Sequence, residues 1–237
     1  MNKNNRVPEH VAFIMDGNGR WATQQGKERF EGHIQGVESV RTVIKASVDF
    51  GVRYITLYAF STENWGRPSE EVDALMELFC KCVAVETPEL VEQGVKVRVI
   101  GDKERFSNEV RTSLDKIEAD TMHGERLLMQ LALNYSSRDE IRRAVRSIAL
   151  RVEAGELNAE DITEQTITSS LDTAGVPDPD LIVRTSGECR ISNFLLWQAS
   201  YAEYYFPQTL WPDFDKAEYA KALEVYAARD RRFGRVK

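Results

Sequence analysis

The stretch HVAFIMDGNGRWA, from His10 to Ala22, joins an apolar run to residues that can do chemistry. Asp16 ends the apolar run, and Gly17 and Gly19 permit a tight turn with backbone amides facing outward. A carboxylate, free N–H groups and the Arg20 guanidinium at one strand–helix junction suit a metal–phosphate ligand. An ordinary turn with a capping aspartate explains the same residues, so this stretch alone leaves both interpretations open.

Three further polar segments also follow apolar runs. They are STENWGRP (Ser61–Pro68), NYSSRDE (Asn134–Glu140) and RTSGECRISN (Arg184–Asn193). In an open parallel sheet such segments meet beyond the carboxyl ends of the strands, where ligands bind. Together with the first stretch they place four arginines at this edge, which favour an anion of high charge density. Asp16 would repel that anion unless a divalent cation such as Mg²⁺ lay between them. The charged residues expected at this edge are Asp16, Arg20, Glu63, Arg67, Arg184 and Arg190.

Other kinds of chemistry lack their motifs. The chain has no GxxxxGK[ST] loop and no GxGxxG fingerprint, so nucleotide hydrolysis and dinucleotide redox chemistry lose support. The DDxxD pattern of trans-prenyl synthases is also absent. The cysteines Cys80, Cys82 and Cys189 form no zinc-type spacing, and the three histidines are too scattered to predict a metal cluster.

Composition favours a soluble, globular protein. The 237 residues are 42% hydrophobic and 29% charged, and no apolar segment reaches the ~18 residues of a membrane span. The polar N-terminus lacks the apolar core of a signal peptide, so we expect a cytoplasmic protein. A net charge of −7 argues against a general nucleic-acid binder.

The elements that must position these residues alternate along the chain. The predicted strands are Val11–Met15, Tyr54–Phe60, Val95–Ile100, Leu127–Leu133 and Leu181–Val183. The predicted helices are Trp21–Phe50, Ser69–Gln93, Glu104–Asp120, Arg138–Glu153, Ala159–Leu171 and Asp215–Arg232. This alternation predicts one α/β domain over residues 1–237, with a central, mainly parallel sheet flanked by helices.

Two apolar segments have alternative interpretations. The helix after Pro68 is apolar on more than one face, which indicates either burial on two sides or one wall of an apolar tunnel. Glu203 lies among aromatic residues in FLLWQASYAEYYF (Phe194–Phe206), where an unpaired carboxylate would be costly. A metal ion or an arginine is the expected partner of Glu203.

Long blocks of the sequence resemble the bacterial undecaprenyl diphosphate synthases, which are cis-prenyltransferases. The blocks are HVAFIMDGNGRWA, GHIQGVESVR, TLYAFSTENWGRP, DLIVRTSGECRISNFLLWQASYAEYYF and LWPDFD, in order between about Pro8 and Gly234. The resemblance implies an Mg²⁺-dependent enzyme that condenses farnesyl diphosphate with successive isopentenyl diphosphates. Its product would be a long-chain (undecaprenyl) diphosphate, the precursor of the lipid carrier for cell-wall synthesis.

The resemblance also implies residue roles. Asp16 would be catalytic and bind Mg²⁺, with Glu203 as the second metal-side carboxylate. The residues implied to cradle the allylic substrate are Gly17, Asn18, Gly19, Arg20, Trp21, Arg29 and His33. Those implied to line the reacting ends are Ser61, Thr62, Glu63, Asn64, Trp65 and Arg67. Those implied to bind isopentenyl diphosphate are Arg184, Arg190, Ile191 and Ser192.

Several of these residues have alternative roles that require no substrate. Asn64 is implied to be catalytic, but a neutral amide is a poor base, so we expect it to orient the substrate. His33 could be satisfied by the backbone, Arg29 could be solvated, and Trp65 could belong to the core. Cys189 stands where relatives often have a histidine.

The resemblance implies partners as well. It implies a homodimer in which RRFG (Arg231–Gly234) reaches the neighbouring active site, and transient peripheral contact with the inner face of the membrane for product release. One alternative is a cis-prenyltransferase of different product length, with Leu127 or its neighbours as the floor of the tunnel. The other is a non-catalytic lipid-binding subunit, which the retained Asp16 and arginines disfavour. An unrelated phosphohydrolase has no nucleophile motif to support it.

Overall fold

The computed structural model describes residues 6–229, which form one six-stranded sheet flanked by helices. The strands are β1 (His10–Ile14), β2 (Tyr54–Ser61), β3 (Val95–Ile100), β4 (Leu127–Tyr135), β5 (Leu181–Arg184) and β6 (Glu203–Tyr205). Their order across the sheet is β3-β4-β2-β1-β5-β6, and every neighbouring pair is parallel. The predicted fold class is therefore confirmed. The short edge strand β6 was not predicted, because three residues carry too little alternation to identify a strand.

The helices follow the predicted order but differ in extent. They are α1 (Asn18–Gln24), α2 (Arg29–Phe50), α3 (Ser69–Glu92), α4 (Asn108–Asp120), α5 (Ser137–Glu153), α6 (Glu164–Thr168) and α7 (Lys216–Ala227). The helix predicted over Glu104–Asp120 is α-helical only from Asn108, and the one predicted over Ala159–Leu171 is a 3₁₀ turn (Ala159–Asp161) followed by a helix of five residues. The single helix predicted over Trp21–Phe50 is two helices, because Glu28 and Glu31 form a capping box that starts α2 afresh. The predicted helix end at Arg232 and the RRFG segment lie outside the described residues.

Both faces of the sheet are buried. Along β1, Val11 and Phe13 belong to one hydrophobic cluster, whereas Ala12 and Ile14 belong to a second one, as the period of two in a strand requires. The ring of Phe13 meets the buried ring of Tyr219 from α7 edge-on at 5.2 Å. Within residues 6–229, no helix combines the length and the apolar composition that crossing a membrane requires.

The register of the sheet brings the predicted site segments to one edge. Ile14 at the end of β1 pairs with Tyr58 of β2 on one side and with Arg184 of β5 on the other. Asp16 lies two residues beyond this level, beside Thr185. The carboxyl ends of β2, β1 and β5 therefore lie side by side at the edge of the sheet where Asp16 follows β1.

At the amino end of β1, the His10 side chain is buried, and both of its ring nitrogens have hydrogen-bond partners. Its Nδ1 donates to the carbonyl of Pro177 at 2.7 Å, and its Nε2 lies 2.8 Å from Oγ1 of Thr56. Burial lowers the pKa of His10 from 6.5 to about 4, and the hydrogen bond to Pro177 offsets only part of this effect. The folded protein therefore keeps His10 neutral at pH values where the unfolded chain protonates it.

We expect His10 to make the protein less stable as the pH falls from 6.5 towards 4. In that range the unfolded chain binds a proton that the folded chain does not, which costs about 1.4 kcal/mol per pH unit. His10→Gln should remove this part of the slope when the free energy of unfolding is measured by urea denaturation at several pH values. His123→Gln, at an exposed histidine, is the control. An equal loss of slope in both variants would contradict the assignment.

Candidate active site

Asp16 is held at the edge of the sheet by two segments from the second half of the chain. Its carbonyl oxygen accepts hydrogen bonds from Oγ1 of Thr185 at 2.6 Å and from the backbone N–H of Trp211 at 3.0 Å. Trp211 is fully buried and donates from Nε1 to the carbonyl of Gly36 in α2. The LWPDFD block therefore fixes the backbone from which the Asp16 carboxylate projects.

Two arginines flank the Asp16 carboxylate. Nη2 of Arg184 donates to Oδ2 at 2.9 Å, and Nη2 of Arg20 lies 3.4 Å from Oδ1. Burial alone would raise the pKa of Asp16, but the hydrogen bond and charge of Arg184, helped by Arg20, outweigh it and lower the pKa below its ordinary value. Asp16 is therefore ionised at neutral pH.

Arg184 organises the loop after β5. Its side chain is almost fully buried, and Nη1 donates to the carbonyl of Arg190 at 2.5 Å and to Oγ of Ser192 at 2.7 Å. Its buried Nε has no hydrogen-bond partner within residues 6–229, and neither does the buried Oδ1 of Asn18. Unpaired buried polar atoms are costly, so their presence at this edge indicates a place for a polar ligand.

Glu188 is a site residue that the sequence reasoning missed. Nη1 of Arg20 lies 3.3 Å from its carboxylate, and Nη1 of Arg190 donates to the same group. Arg20 also donates to both the carbonyl and the hydroxyl of Ser186. Glu188 therefore links the arginine after β1 to the arginine after β5. The sequence feature that could have identified Glu188 is its position inside the SGECR segment, close to the predicted site residue Arg190.

The GNG turn opens α1 and admits an arginine from α2. Gly17 caps the helix with a φ of 111°, a backbone conformation that favours glycine. A Cβ at Gly19 would lie only 2.7 Å from Cζ of Arg29. Glycine at position 19 therefore lets the Arg29 guanidinium lie against the turn after β1.

The Ser61–Arg67 segment forms the opposite side of the site. Oδ1 of Asn64 accepts a hydrogen bond from the backbone N–H of Ser61 at 3.0 Å, which fixes its amide group. His33 of α2 lines the same cavity as Asn64, and burial, followed by the charge of Arg67, lowers the pKa of His33 to about 4, so His33 is neutral. Nη1 of Arg67 donates to Glu71 of α3 at 3.0 Å.

A cavity of about 440 Å³ opens at these residues and runs back beside the sheet. Polar residues at its mouth are Asp16, Asn18, His33, Ser61, Asn64, Arg67, Arg184 and Ser192. Apolar residues from α2, α3 and β4 line its interior, among them Val40, Ile44, Leu75, Phe79, Met129 and Leu131. Part of the wide apolar face of α3 thus faces a cavity, while the tunnel for a hydrocarbon chain stays a prediction. Leu127 does not line this cavity, but its neighbour Met129 does.

Two predicted site residues, both tryptophans, have hydrogen-bond partners within the protein. Trp65 packs its ring against Phe60 and donates from Nε1 to Oδ1 of Asn134 at 2.7 Å, which favours its core alternative. Trp21 donates from Nε1 to Asp213 at 2.8 Å. Neither tryptophan is among the residues that line the cavity.

Glu203 does not lie beside Asp16 within one chain, and its predicted role as a second metal-side carboxylate stays a prediction. Glu203 pairs with Leu181, which pairs with Val11, five residues before Asp16 and therefore about 16 Å back along the strand direction. Its carboxylate accepts a hydrogen bond from Nη1 of Arg229 at 2.7 Å. The expected partner of Glu203 was a metal ion or an arginine, and in the structure it is an arginine. Among residues 6–229, no three His, Cys, Asp or Glu side chains form a metal cluster.

The fold and the site define a class of protein. An arginine-rich mouth with one ionised carboxylate, at the carboxyl edge of a parallel sheet, suits an anionic head group, and the apolar cavity behind it suits a hydrocarbon tail. A family model described as putative undecaprenyl diphosphate synthase matches residues 14–234. The chain belongs to this family and is a prenyltransferase.

Individual relatives agree with the family match. The chain is 52% identical to an isoprenyl transferase of Agrobacterium fabrum, covering 96% of this chain and 92% of the relative. It is 46% identical to a ditrans,polycis-undecaprenyl-diphosphate synthase, (2E,6E)-farnesyl-diphosphate specific, of Haemophilus ducreyi, covering 96% and 94%. Lavandulyl diphosphate synthase of Lavandula x intermedia, in complex with dimethylallyl diphosphate, superposes with a TM-score of 0.94 at 36% identity, covering 97% and 99%.

Proposed function

We propose that this prenyltransferase condenses farnesyl diphosphate with successive isopentenyl diphosphates to give undecaprenyl diphosphate. The observation that carries the proposal is the apolar cavity behind a charged mouth. The mouth can hold diphosphate groups, while a growing hydrocarbon chain can leave water for the cavity. The name of the Haemophilus ducreyi relative supports farnesyl diphosphate as the primer.

The two groups of cationic residues would bind two diphosphates. Arg20 and Arg29 border the turn after β1, which suits the diphosphate of the allylic substrate. Arg184 is the last residue of β5 and Arg190 belongs to the loop after it, which suits the diphosphate of isopentenyl diphosphate. Guanidinium groups bind such oxygens through paired, charge-assisted hydrogen bonds. They also stabilise the negative charge that develops as the allylic diphosphate leaves.

Asp16 fits a Mg²⁺ ion that is shared with substrate. Mg²⁺ is usually held by one or two carboxylates together with substrate phosphates. Asp16 is ionised, part-exposed and beside the arginine-lined mouth, so it can supply such a carboxylate without a second protein ligand. When bound, Mg²⁺ would neutralise charge on the departing diphosphate.

Asn64 would orient the reacting ends and not act as the base. Its Oδ1 is engaged by the N–H of Ser61, so the amide is held in one position. A neutral amide oxygen binds a proton too weakly to serve as a general base. A diphosphate oxygen or a chain of water molecules is the better proton acceptor.

The proposed function is tested by incubating the protein with farnesyl diphosphate, labelled isopentenyl diphosphate and Mg²⁺, with and without a chelator. Extracted products are then sized. A chelator-sensitive ladder that ends at the undecaprenyl length supports the proposal. A ladder that ends elsewhere would reassign the product length, and no incorporation by a folded protein would overturn the proposal.

Arg190→Ala should raise the KM for isopentenyl diphosphate between about tenfold and about a hundredfold, because a hydrogen bond to a charged group is lost. Its side chain is 60% exposed, and the carbonyl that accepts from Arg184 remains, so stability should not change. Steady-state kinetics measures the effect. Arg142→Ala, at an exposed arginine paired with Asp139, is the matched control. An unchanged KM with intact activity would assign Arg190 a structural role.

The proposal includes a homodimer in the cytoplasm. It also includes transient contact with the inner face of the membrane, because the product is hydrophobic and has to be released there. Light scattering after size exclusion tests the first part. Sedimentation with lipid vesicles, in the presence and absence of substrates, tests the second. A monomer that elongates normally would contradict the dimer.

A further inference from the structure

Asn193 joins two sides of the active site. Its Nδ2 donates to Oε1 of Glu63 at 2.9 Å, in the segment that carries Asn64. Its Oδ1 accepts from the backbone N–H of Arg138 at 3.1 Å, and its carbonyl accepts from the N–H of Ser137 at 2.8 Å. Ser137 and Arg138 are the first residues of α5. One residue therefore connects the loop after β5 with the loop after β2 and with a helix.

These contacts require an unusual backbone. Asn193 has a φ of 63°, in the left-handed region that asparagine tolerates better than most residues. The residue before α5, Ser136, makes no side-chain cap hydrogen bond. Asn193 therefore supplies from a distance the capping contacts that α5 lacks locally. The well-anchored helix in turn fixes the side chain of Asn193 in front of Glu63.

The contact with Glu63 reaches the groups proposed to act on substrate. Glu63 directly precedes Asn64, whose amide group is tied to Ser61 in the same turn. On the other side, Ser192 directly precedes Asn193 and accepts a hydrogen bond from Arg184. A shift at Asn193 would therefore change the distance between the Asn64 amide and the Arg184 guanidinium.

We propose that Asn193 is a positioning residue for the condensation: its amide group holds Glu63, and with it Asn64, in place against the loop of Arg184 and Ser192. This inference rests on the proposed function, because it assumes that these two loops bind the two substrates. Small displacements of groups that orient reactants reduce rates strongly.

The decisive variant is Asn193→Asp. Aspartate keeps an acceptor for the first amides of α5 and tolerates the left-handed backbone, so the melting temperature should stay near that of the wild type. It loses the donor to Glu63 and places two carboxylates together. We expect kcat/KM for elongation to fall between about tenfold and about a hundredfold.

A double-mutant cycle separates positioning from a general defect. In Glu63→Gln protein the new amide can donate to an aspartate at position 193, which restores the hydrogen bond with reversed polarity. In the Glu63→Gln background, Asn193→Asp should therefore reduce kcat/KM for elongation by less than about threefold. Because the comparison is made within that background, any direct role of the Glu63 charge in turnover does not affect it.

Asn158→Asp is the matched control, because exposed Asn158 also donates to a carboxylate, that of Asp161, at 2.9 Å. It should leave kcat/KM unchanged. Equal losses from Asn193→Asp in both backgrounds, or wild-type kinetics in that single variant, would overturn the positioning role while the proposed function stands. A folded wild type that fails to elongate in the same assay would instead overturn the proposed function, and this inference with it.

Discussion

Asp16→Asn should reduce turnover at least about a hundredfold while leaving the fold intact. The ionised Asp16 carboxylate lies between Arg20 and Arg184 at the mouth of the cavity, and removing charge stabilisation from a transition state costs rates of this order. The asparagine oxygen can still accept from Arg184, so the buried guanidinium keeps a partner. The initial rate of labelled isopentenyl diphosphate incorporation, measured over a Mg²⁺ titration, checks the prediction.

Asp213→Asn is the matched control for this measurement. Asp213 is a neighbouring carboxylate that accepts from Nε1 of Trp21, a contact that an amide oxygen can also make. Its variant should elongate at the wild-type rate. If a folded Asp16→Asn protein were equally active, Asp16 would have no role with the metal or the diphosphate.

Substitutions of Met129 should change the length of the product. Met129 of β4 is nearly fully buried and lines the cavity. It lies four residues before Leu133, near the amino end of the strand, whereas the mouth of the cavity lies at the carboxyl ends of the strands. Met129→Phe should fill space there and stop elongation earlier by at least one isoprene unit. Met129→Ala should open space and allow a longer product, at a stability cost of about 2 kcal/mol. Chromatographic sizing of the extracted products measures both shifts.

Met122→Phe and Met122→Ala are the controls for this pair. Met122 is exposed and does not line the cavity, so its variants should give the wild-type product. Opposite shifts from the two Met129 variants would identify this wall as a limit on chain growth. An unchanged product from both would place the limit elsewhere.

Much of the fold could be predicted because buried parallel strands carry a strong local signal. The run Val11–Ile14 is apolar throughout, since both faces of β1 are covered. The turn residues that follow each strand then placed Asp16, Asn64 and Arg184 at one edge, because parallel strands end on the same side of a sheet. The family resemblance in those blocks is confirmed by the match over residues 14–234.

Contacts between distant segments could not be predicted in the same way. Glu203 belongs to the same sequence block as Arg190, yet it is the first residue of the parallel strand β6 and therefore lies at the opposite edge, where Arg229 pairs with it. Glu188 and Asn193 lie inside the RTSGECRISN segment, but the sequence did not show which partners they meet. Their roles depend on partners that lie more than a hundred residues away in the chain, Arg20 and Glu63.

By itself, the sequence determined the α/β class, the family and the edge of the sheet at which the chemistry lies, because alternation, turn residues and long motifs are local properties of the chain. Only the tertiary structure decided which charges meet. It paired Asp16 with Arg184, moved Glu203 away and set Asn193 between α5 and Glu63. Those outcomes depend on strand order and register, which bring residues together across the sheet regardless of their separation in sequence.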